Sequence, residues 1–289
     1  MQPRFEQFIK EKQYLENVSR TTVELYRRAL RFLPSDAPTQ DQLQEMVLGM
    51  RQKGLKETGC NIIIRTVNAY LHWASGREGR CGPGCDHRKL KRLKEPKTIM
   101  PTFTQGQIET LVRSRPRTRA EKRTHLLVLF LLDTGCRISE VLTLRVGEID
   151  FDNLLVTLDG KGRKQRVVPY SVELRRALYR HIQDHHLTPH DLLFSTASGL
   201  EWSRRNVLRL VKQLCRDLGF EPPARTLHSF RHTFAVNYLR RGGSTFHLQR
   251  SLGHSTLEMT RRYANLNTED LQAVHPRISL LKQDWRRNA

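Results

Sequence analysis

Six side chains able to handle a phosphodiester follow one another in a fixed order along the C-terminal half of this 289-residue chain. Arg137 sits in Thr-Gly-Cys-Arg-Ile-Ser-Glu and Lys161 stands between two glycines. His228 and Arg231 form a His-x-x-Arg step, His254 closes Leu-Gly-His, and Tyr263 follows Arg261 and Arg262. Guanidiniums and an ammonium grip phosphate oxygens, imidazoles donate hydrogen bonds or exchange a proton, and a phenol attacks phosphorus. Phosphoryl transfer without a metal needs that inventory. A phenol with a pKa near ~10 is a weak nucleophile at neutral pH unless its proton is accepted or its anion stabilised. Charge then gathers on the non-bridging oxygens, toward which arginine forks two donors while staying charged. The departing 5′-oxygen needs a proton, which a lysine of depressed pKa can deliver.

In this order the motifs resemble those of the tyrosine recombinase (phage integrase) family, nearest in size and layout to its compact Xer-like and mobile-element members. The resemblance is specific from about Thr104 to Tyr263 and general over the N-terminal third. It implies Tyr263 as the nucleophile, forming a 3′-phosphotyrosyl link and freeing a 5′-hydroxyl. It implies Arg137 and Arg231 as phosphate clamps and Lys161 as general acid, with Lys164 a rival for that role. His228 takes a hydrogen-bonding or acid–base role near the phosphate, and His254 donates to the scissile phosphate. Glu140 stands where the family commonly carries an acid and is expected to orient Arg137. Since the phosphodiester energy stays in the covalent intermediate, the resemblance implies no metal, ATP or other cofactor. The partners it implies are double-stranded DNA and three further copies of the chain, a tetramer on two DNA sites.

Composition points the same way. The chain has 50 Lys and Arg against 29 Asp and Glu, a formal net charge of +21. Such an excess suits a polyanionic partner, because each neutralised phosphate releases condensed counterions. No long apolar stretch is present, mean hydropathy is -0.58, and the N-terminus lacks the apolar core of a signal peptide. The expectation is therefore no membrane association and a cytoplasmic, nucleoid-associated protein. Five scattered cysteines argue against a disulfide framework. Cys81-x-x-x-Cys85-x-His87 resembles part of a zinc site, but no second clean pair completes it, so no metal site is expected.

The elements that must position these residues suggest a mainly α fold with a small antiparallel β-sheet (α+β). We divide it into a helical core-binding domain (1–80), a basic interdomain linker (81–102) and a catalytic domain (103–289). The family implies a C-shaped DNA clamp. Between Ser19 and Leu33, Val23, Tyr26, Leu30 and Leu33 mark an apolar helical face, while Arg20, Arg27 and Arg31 mark another, roughly 100° away. These arginines are either DNA contacts or an ordinary solvated face. A helix from Thr39 to about Gly54, and one carrying Ile63, Val67, Tyr70, Leu71 and Ala74, complete a bundle. Glycines and prolines break the pattern after Ser75, and Lys89, Lys91, Arg92 and Lys94 form a basic run suited to a phosphate backbone.

Further on, Thr104-x-x-Gln107 is a capping box, and Leu126 to Leu132 reads as a buried helix ending near Gly135. Strands from Ile149 to Phe151, Leu154 to Leu158 and Arg166 to Pro169 flank a basic hairpin tip that also holds Arg163 and Lys164. Helices follow from Val172 to Gln183, Arg204 to Leu218 and Leu227 to Arg241. On the last, Phe230, Phe234 and Tyr238 form one anchoring stripe, and His232 is read as projecting away from the chemistry. The cluster of His181, His185, His186 and His190 reads as a surface helix terminus. Ser255-x-x-Glu258 is a capping box ahead of Tyr263. Leu271, Val274, Ile278 and Leu281 form a stripe that docks either into a neighbouring protomer or onto its own domain. Two rival functions share much of this pattern: a DNA-binding accessory factor, which has no need of the phenol, and a type IB topoisomerase. A metal-dependent nuclease fits less well, as acids are scarce around the motifs.

Overall fold

A computed structural model describes residues 2–77, 89–96, 100–160, 165–196, 198–253, 256 and 260. The chain divides into two compact units, Met1–Thr98 and Ile99–Ala289. The described part is mostly helical with one three-stranded antiparallel sheet. Among the described residues no helix is long and apolar enough to cross a membrane.

The first unit holds four helices: α1 (Pro3–Tyr14), α2 (Arg20–Leu30), α3 (Gln40–Gln52) and α4 (Glu57–Arg77). Sequence periodicity did not delimit α1, yet it supplies Phe5, Phe8 and Ile9 to the core. Phe8 meets Tyr70 edge-on, with ring centroids 5.5 Å apart, and the buried Tyr70 hydroxyl donates to the Asp36 carbonyl at 2.7 Å. Helix α2 stops three residues short of the expected Leu33. Val23 and Leu30 face the core, and Arg20, Arg27 and Arg31 are all exposed. Thr39 caps α3 reciprocally with Gln42.

The basic run packs on this unit as an extended segment laid along α4. The Asn68 carboxamide pairs with the backbone of Leu90, donating to its carbonyl and accepting from its N–H, both at 2.8 Å. Asn61, two helical turns earlier, treats Leu93 the same way at 2.9 and 2.7 Å, and also donates to Glu95. Leu90 is buried, while Lys89, Lys91, Arg92 and Lys94 are exposed.

The second unit is built around α6 (Arg119–Thr134), whose Leu126, Leu127, Val128, Phe130 and Leu131 are all buried. A helix apolar on so many sides must be covered on several faces. Helices α8 (Val172–His185), α9 (Arg204–Asp217) and α10 (Thr226–Arg240) pack against it, as does α5 (Gln105–Arg113), capped by Thr104 and Gln107. The sheet runs β1 (Ile149–Asp150), β2 (Leu155–Asp159), β3 (Gln165–Pro169), with Asp159 opposite Gln165 at the hairpin mouth. Two short helices that periodicity did not find, α7 (Ile138–Leu142) and α11 (Thr245–Leu252), complete the unit.

Three expectations need correction. His181 is buried, not at a surface terminus: its Nε2 lies 3.0 Å from the Leu193 carbonyl inside the core. The supposed single stripe of α10 serves two clusters. Phe230 stacks on Phe103 at 4.5 Å in the main core, whereas Phe234 and Tyr238 pack with Ala235, Leu239, Leu248 and Leu252. His232, one turn after His228, shares its helical face, and the His228 charge is among the causes that lower its pKa. The zinc-like cysteines, the second capping box and the C-terminal stripe lie outside the described residues, as do Arg163 and Lys164.

Candidate functional site

Helix α6 ends at Gly135, whose φ of 63° is left-handed and whose Cβ, were it present, would lie 2.3 Å from the Phe234 ring. Only glycine satisfies both demands. The reversal puts Arg137 at the N-cap of α7, where its backbone N–H donates to Glu140 Oε2 at 2.8 Å. The Arg137 guanidinium also turns back, Nη1 donating to Glu140 Oε1 at 2.8 Å. Arg137 nevertheless keeps 36% of its side-chain surface exposed, against 6% for Glu140. The arginine can meet a ligand; the carboxylate cannot.

A residue overlooked in the sequence, Arg166 on β3, closes on the same carboxylate. Its Nη1 and Nη2 donate to Oε1 and Oε2 at 2.8 and 2.7 Å, in the two-pronged geometry that suits carboxylates. Burial alone would raise the Glu140 carboxyl pKa. The hydrogen bonds from Arg166, then Arg137, outweigh it and hold the group below its ordinary value. Arg166 falls in the same strand register as buried Val168, so a cation in an inward position was the available signal.

Arg231 enters from α10 and is 7% exposed. Its Nη1 donates to the Gly135 carbonyl at 3.1 Å and its Nη2 to the Leu252 carbonyl at 2.5 Å. One guanidinium therefore ties the α6–α7 reversal to the last residue of α11. Stacking of Phe230 on Phe103, and the Phe103 N–H donating to Thr233 Oγ1 at 2.9 Å, hold α10 in place.

His228 lies one turn before Arg231. Burial, then the charges of Arg204, Arg225 and Arg231, push its pKa below the ordinary imidazole value. Its Nε2 is 3.0 Å from Arg204 Nη2. A guanidinium can only donate, so this nitrogen carries the lone pair and the neutral ring bears its proton on Nδ1. Arg204 was likewise not singled out in the sequence. Burial raises the neighbouring Cys136 thiol to about 11, which keeps it protonated and inert.

The structure thus joins Arg137, Glu140 and Arg231 through Gly135 and sets His228 one turn before Arg231, whose charge it feels. Lys161, His254 and Tyr263 lie outside the described residues, although β2 and β3 flank the first and the second directly follows Gly253. Among the described residues no cluster of His, Cys, Asp and Glu could hold a metal ion.

Residues 101–270 match the model of the phage integrase family. The chain is 28% identical to the tyrosine recombinase XerA of Pyrococcus furiosus over 276 residues, covering 93% of this chain and 91% of that one. To the tyrosine recombinase XerC of Anoxybacillus flavithermus it is 33% identical over 201 residues, covering 66% and 64%. The fold matches the Tn1549 transposon integrase in complex with a circular intermediate DNA, with a TM-score of 0.74 at 21% identity, covering 96% of this chain and 99% of the other. XerH recombinase bound to palindromic difH substrate matches with a TM-score of 0.72 at 17% identity, covering 96% and 84%. With most of its second unit matched from before α5 to beyond α11, the chain belongs to the phage integrase family of site-specific tyrosine recombinases.

Proposed function

We propose that the chain cuts and rejoins duplex DNA at specific sites with Tyr263 as nucleophile. The phenol gives up its proton to water as its oxygen bonds to phosphorus and the bond to the 5′-oxygen breaks, and Lys161 protonates the departing oxygen. Arg137 and Arg231 hold the non-bridging oxygens as charge builds on them, helped by His254. Neutral His228 offers its Nδ1–H to the same phosphate. A 5′-hydroxyl from a second duplex then attacks the phosphotyrosyl bond and releases the tyrosine, so that no ATP is consumed. Strand exchange of this kind takes four protomers on two sites. The first unit is the core-binding domain, and its exposed Arg20, Arg27, Arg31, Lys89, Lys91, Arg92 and Lys94 contact the phosphate backbone, joined by Arg163 and Lys164 of the second unit. The place of work is the cytoplasm, with the DNA.

The observation that carries this reading is a half-exposed Arg137, held by buried Glu140, two residues after the Gly135 carbonyl that holds Arg231, with a neutral His228 one turn before Arg231.

The test is covalent capture of nicked duplex fragments taken from the DNA flanking the gene. Wild-type protein is expected to become linked to DNA with EDTA present, and Tyr263→Phe to bind the same fragments without linkage. Capture that survives in the Phe variant moves the nucleophile elsewhere, and capture abolished by EDTA favours a metal-dependent enzyme. Relaxation of supercoiled DNA without sequence preference favours a type IB topoisomerase.

A further inference from the structure

Glu140 raises a problem of charge. A carboxylate bound to Arg137 alone would cancel the guanidinium that is supposed to attract a phosphate. The cluster escapes this because Arg166 occupies both oxygens of the same carboxylate. One negative and two positive groups leave one net positive charge, and the cation with access to solvent is Arg137. Its side chain is 36% exposed, against 10% for Arg166.

Arg166 spends all three of its nitrogens on the protein, and its side chain is 10% exposed. Both terminal nitrogens serve Glu140, and Nε donates to the Ser251 carbonyl at 2.9 Å. Its aliphatic stem runs along Gly253, where an added Cβ would stand 2.9 Å from Arg166 Cδ and where φ is 62°. A single side chain therefore holds three pieces of backbone together: strand β3, the helix led by Arg137, and the end of α11. Each adjoins a residue assigned to the chemistry. The 161–164 connection that carries Lys161 leads directly into β3, α7 follows Arg137, and His254 follows Gly253.

We propose that Arg166 is a positioning residue for strand cleavage: it neutralises Glu140, which leaves the charge of Arg137 to the scissile phosphate, and it fixes the end of α11 against β3. The proposal rests on the recombinase reading of the site. Arg166 itself touches no DNA. Its loss strands a buried carboxylate, which then draws on Arg137 alone.

Three variants test this: Arg166→Gln, Arg166→Lys and the pair Glu140→Gln with Arg166→Gln. Each is measured for affinity to the nicked duplex fragments, for the single-turnover rate of covalent capture, and for melting temperature without DNA. Arg166→Gln is expected to slow capture by ~10-fold or more while leaving DNA affinity within about twofold, since it weakens a charge felt mainly in the transition state. Arg166→Lys restores the charge but not the fork, and falls between Arg166→Gln and wild type. The paired variant removes both buried charges and leaves one net positive group, as in wild type. It is expected to melt above Arg166→Gln and to capture faster.

Capture by Arg166→Gln at the wild-type rate overturns the proposal. So does a paired variant that melts no higher than Arg166→Gln, because the cost of the single change is then not a stranded carboxylate. Should wild type itself form no covalent complex, the recombinase reading fails, while the melting arm still decides whether Arg166 neutralises Glu140.

Discussion

Asn61 and Asn68 pin a lysine-rich segment with neutral hydrogen bonds, whereas Glu140 pins two arginines with a buried negative charge. Each asparagine offers one acceptor and an amide donor, which satisfies a backbone N–H and C=O without engaging a basic side chain; the one charged group met is Glu95, to which Asn61 also donates. The basic side chains of 89–94 are consequently left exposed to solvent rather than bound by their tether. At Glu140 the tether itself is charged, so it fixes arginines more tightly but diminishes them, and a second guanidinium is needed to make up the loss. The two solutions suit the tasks we propose for them. A backbone-tracking strip needs many full charges of modest precision, whereas a reaction centre needs few charges held within a fraction of an ångström.

The comparison breaks most visibly at Arg231. Replacing it by Lys preserves charge but not the fork that spans the Gly135 and Leu252 carbonyls. Covalent capture is expected to fall by about 10²–10³, the scale of losing one positioned donor, with DNA affinity nearly unchanged. A matching loss of affinity would place Arg231 with the backbone-tracking cations instead.

This division also explains what was legible in the sequence. Arg137, Glu140, His228 and Arg231 are singled out by their order along the chain, and helix periodicity placed α6 and α10 correctly. Arg166 escaped because its role depends on pairing β3 with two segments distant in sequence, and a lone arginine in a strand looks solvated. The stem of Arg166 against Gly253 was invisible for the same reason. In the first unit the prolines and glycines after Ser75 suggested a tether, yet Leu90 and Leu93 made the segment adhere. Asn61 and Asn68 lie two turns apart on α4, but nothing in the sequence says which extended backbone their carboxamides read, so their partners emerge only in three dimensions. Helix α1 ends ahead of Asn17, whose φ of 51° is left-handed and after which the Val18 N–H donates back to the Lys12 carbonyl at 3.2 Å, a stop that a lone asparagine does not announce in the sequence.

The asparagine side sharpens with Asn61→Ala and Asn68→Ala. Each deletes a donor and an acceptor and leaves the Leu93 or Leu90 backbone without them, at a cost of about 1–3 kcal/mol where those groups stay buried. The double variant is expected to lower the melting temperature and to weaken DNA binding most at low salt, with single-turnover capture at saturating DNA unchanged. Slower capture at saturation would mean that the segment serves the reaction centre as well.

The smallest effect is the most specific. Lys91→Gln removes one exposed charge and disturbs neither asparagine pair, because Lys91 lies between the two anchored leucines. If Lys91 neutralises a phosphate, the plot of log affinity against log salt becomes shallower by about 1, and affinity drops by a similar factor on every duplex tested. A base contact would instead weaken one sequence and spare others, and a merely solvated lysine would leave the slope as it was. Combining Lys91→Gln with Asn68→Ala adds a further step. If the strip works because it is held in place, the lysine contributes less once its anchor is gone, and the two effects on slope fall short of their sum. Full additivity would mean that the charges act equally well from a loose tether, and that the carboxamide pairs serve stability alone.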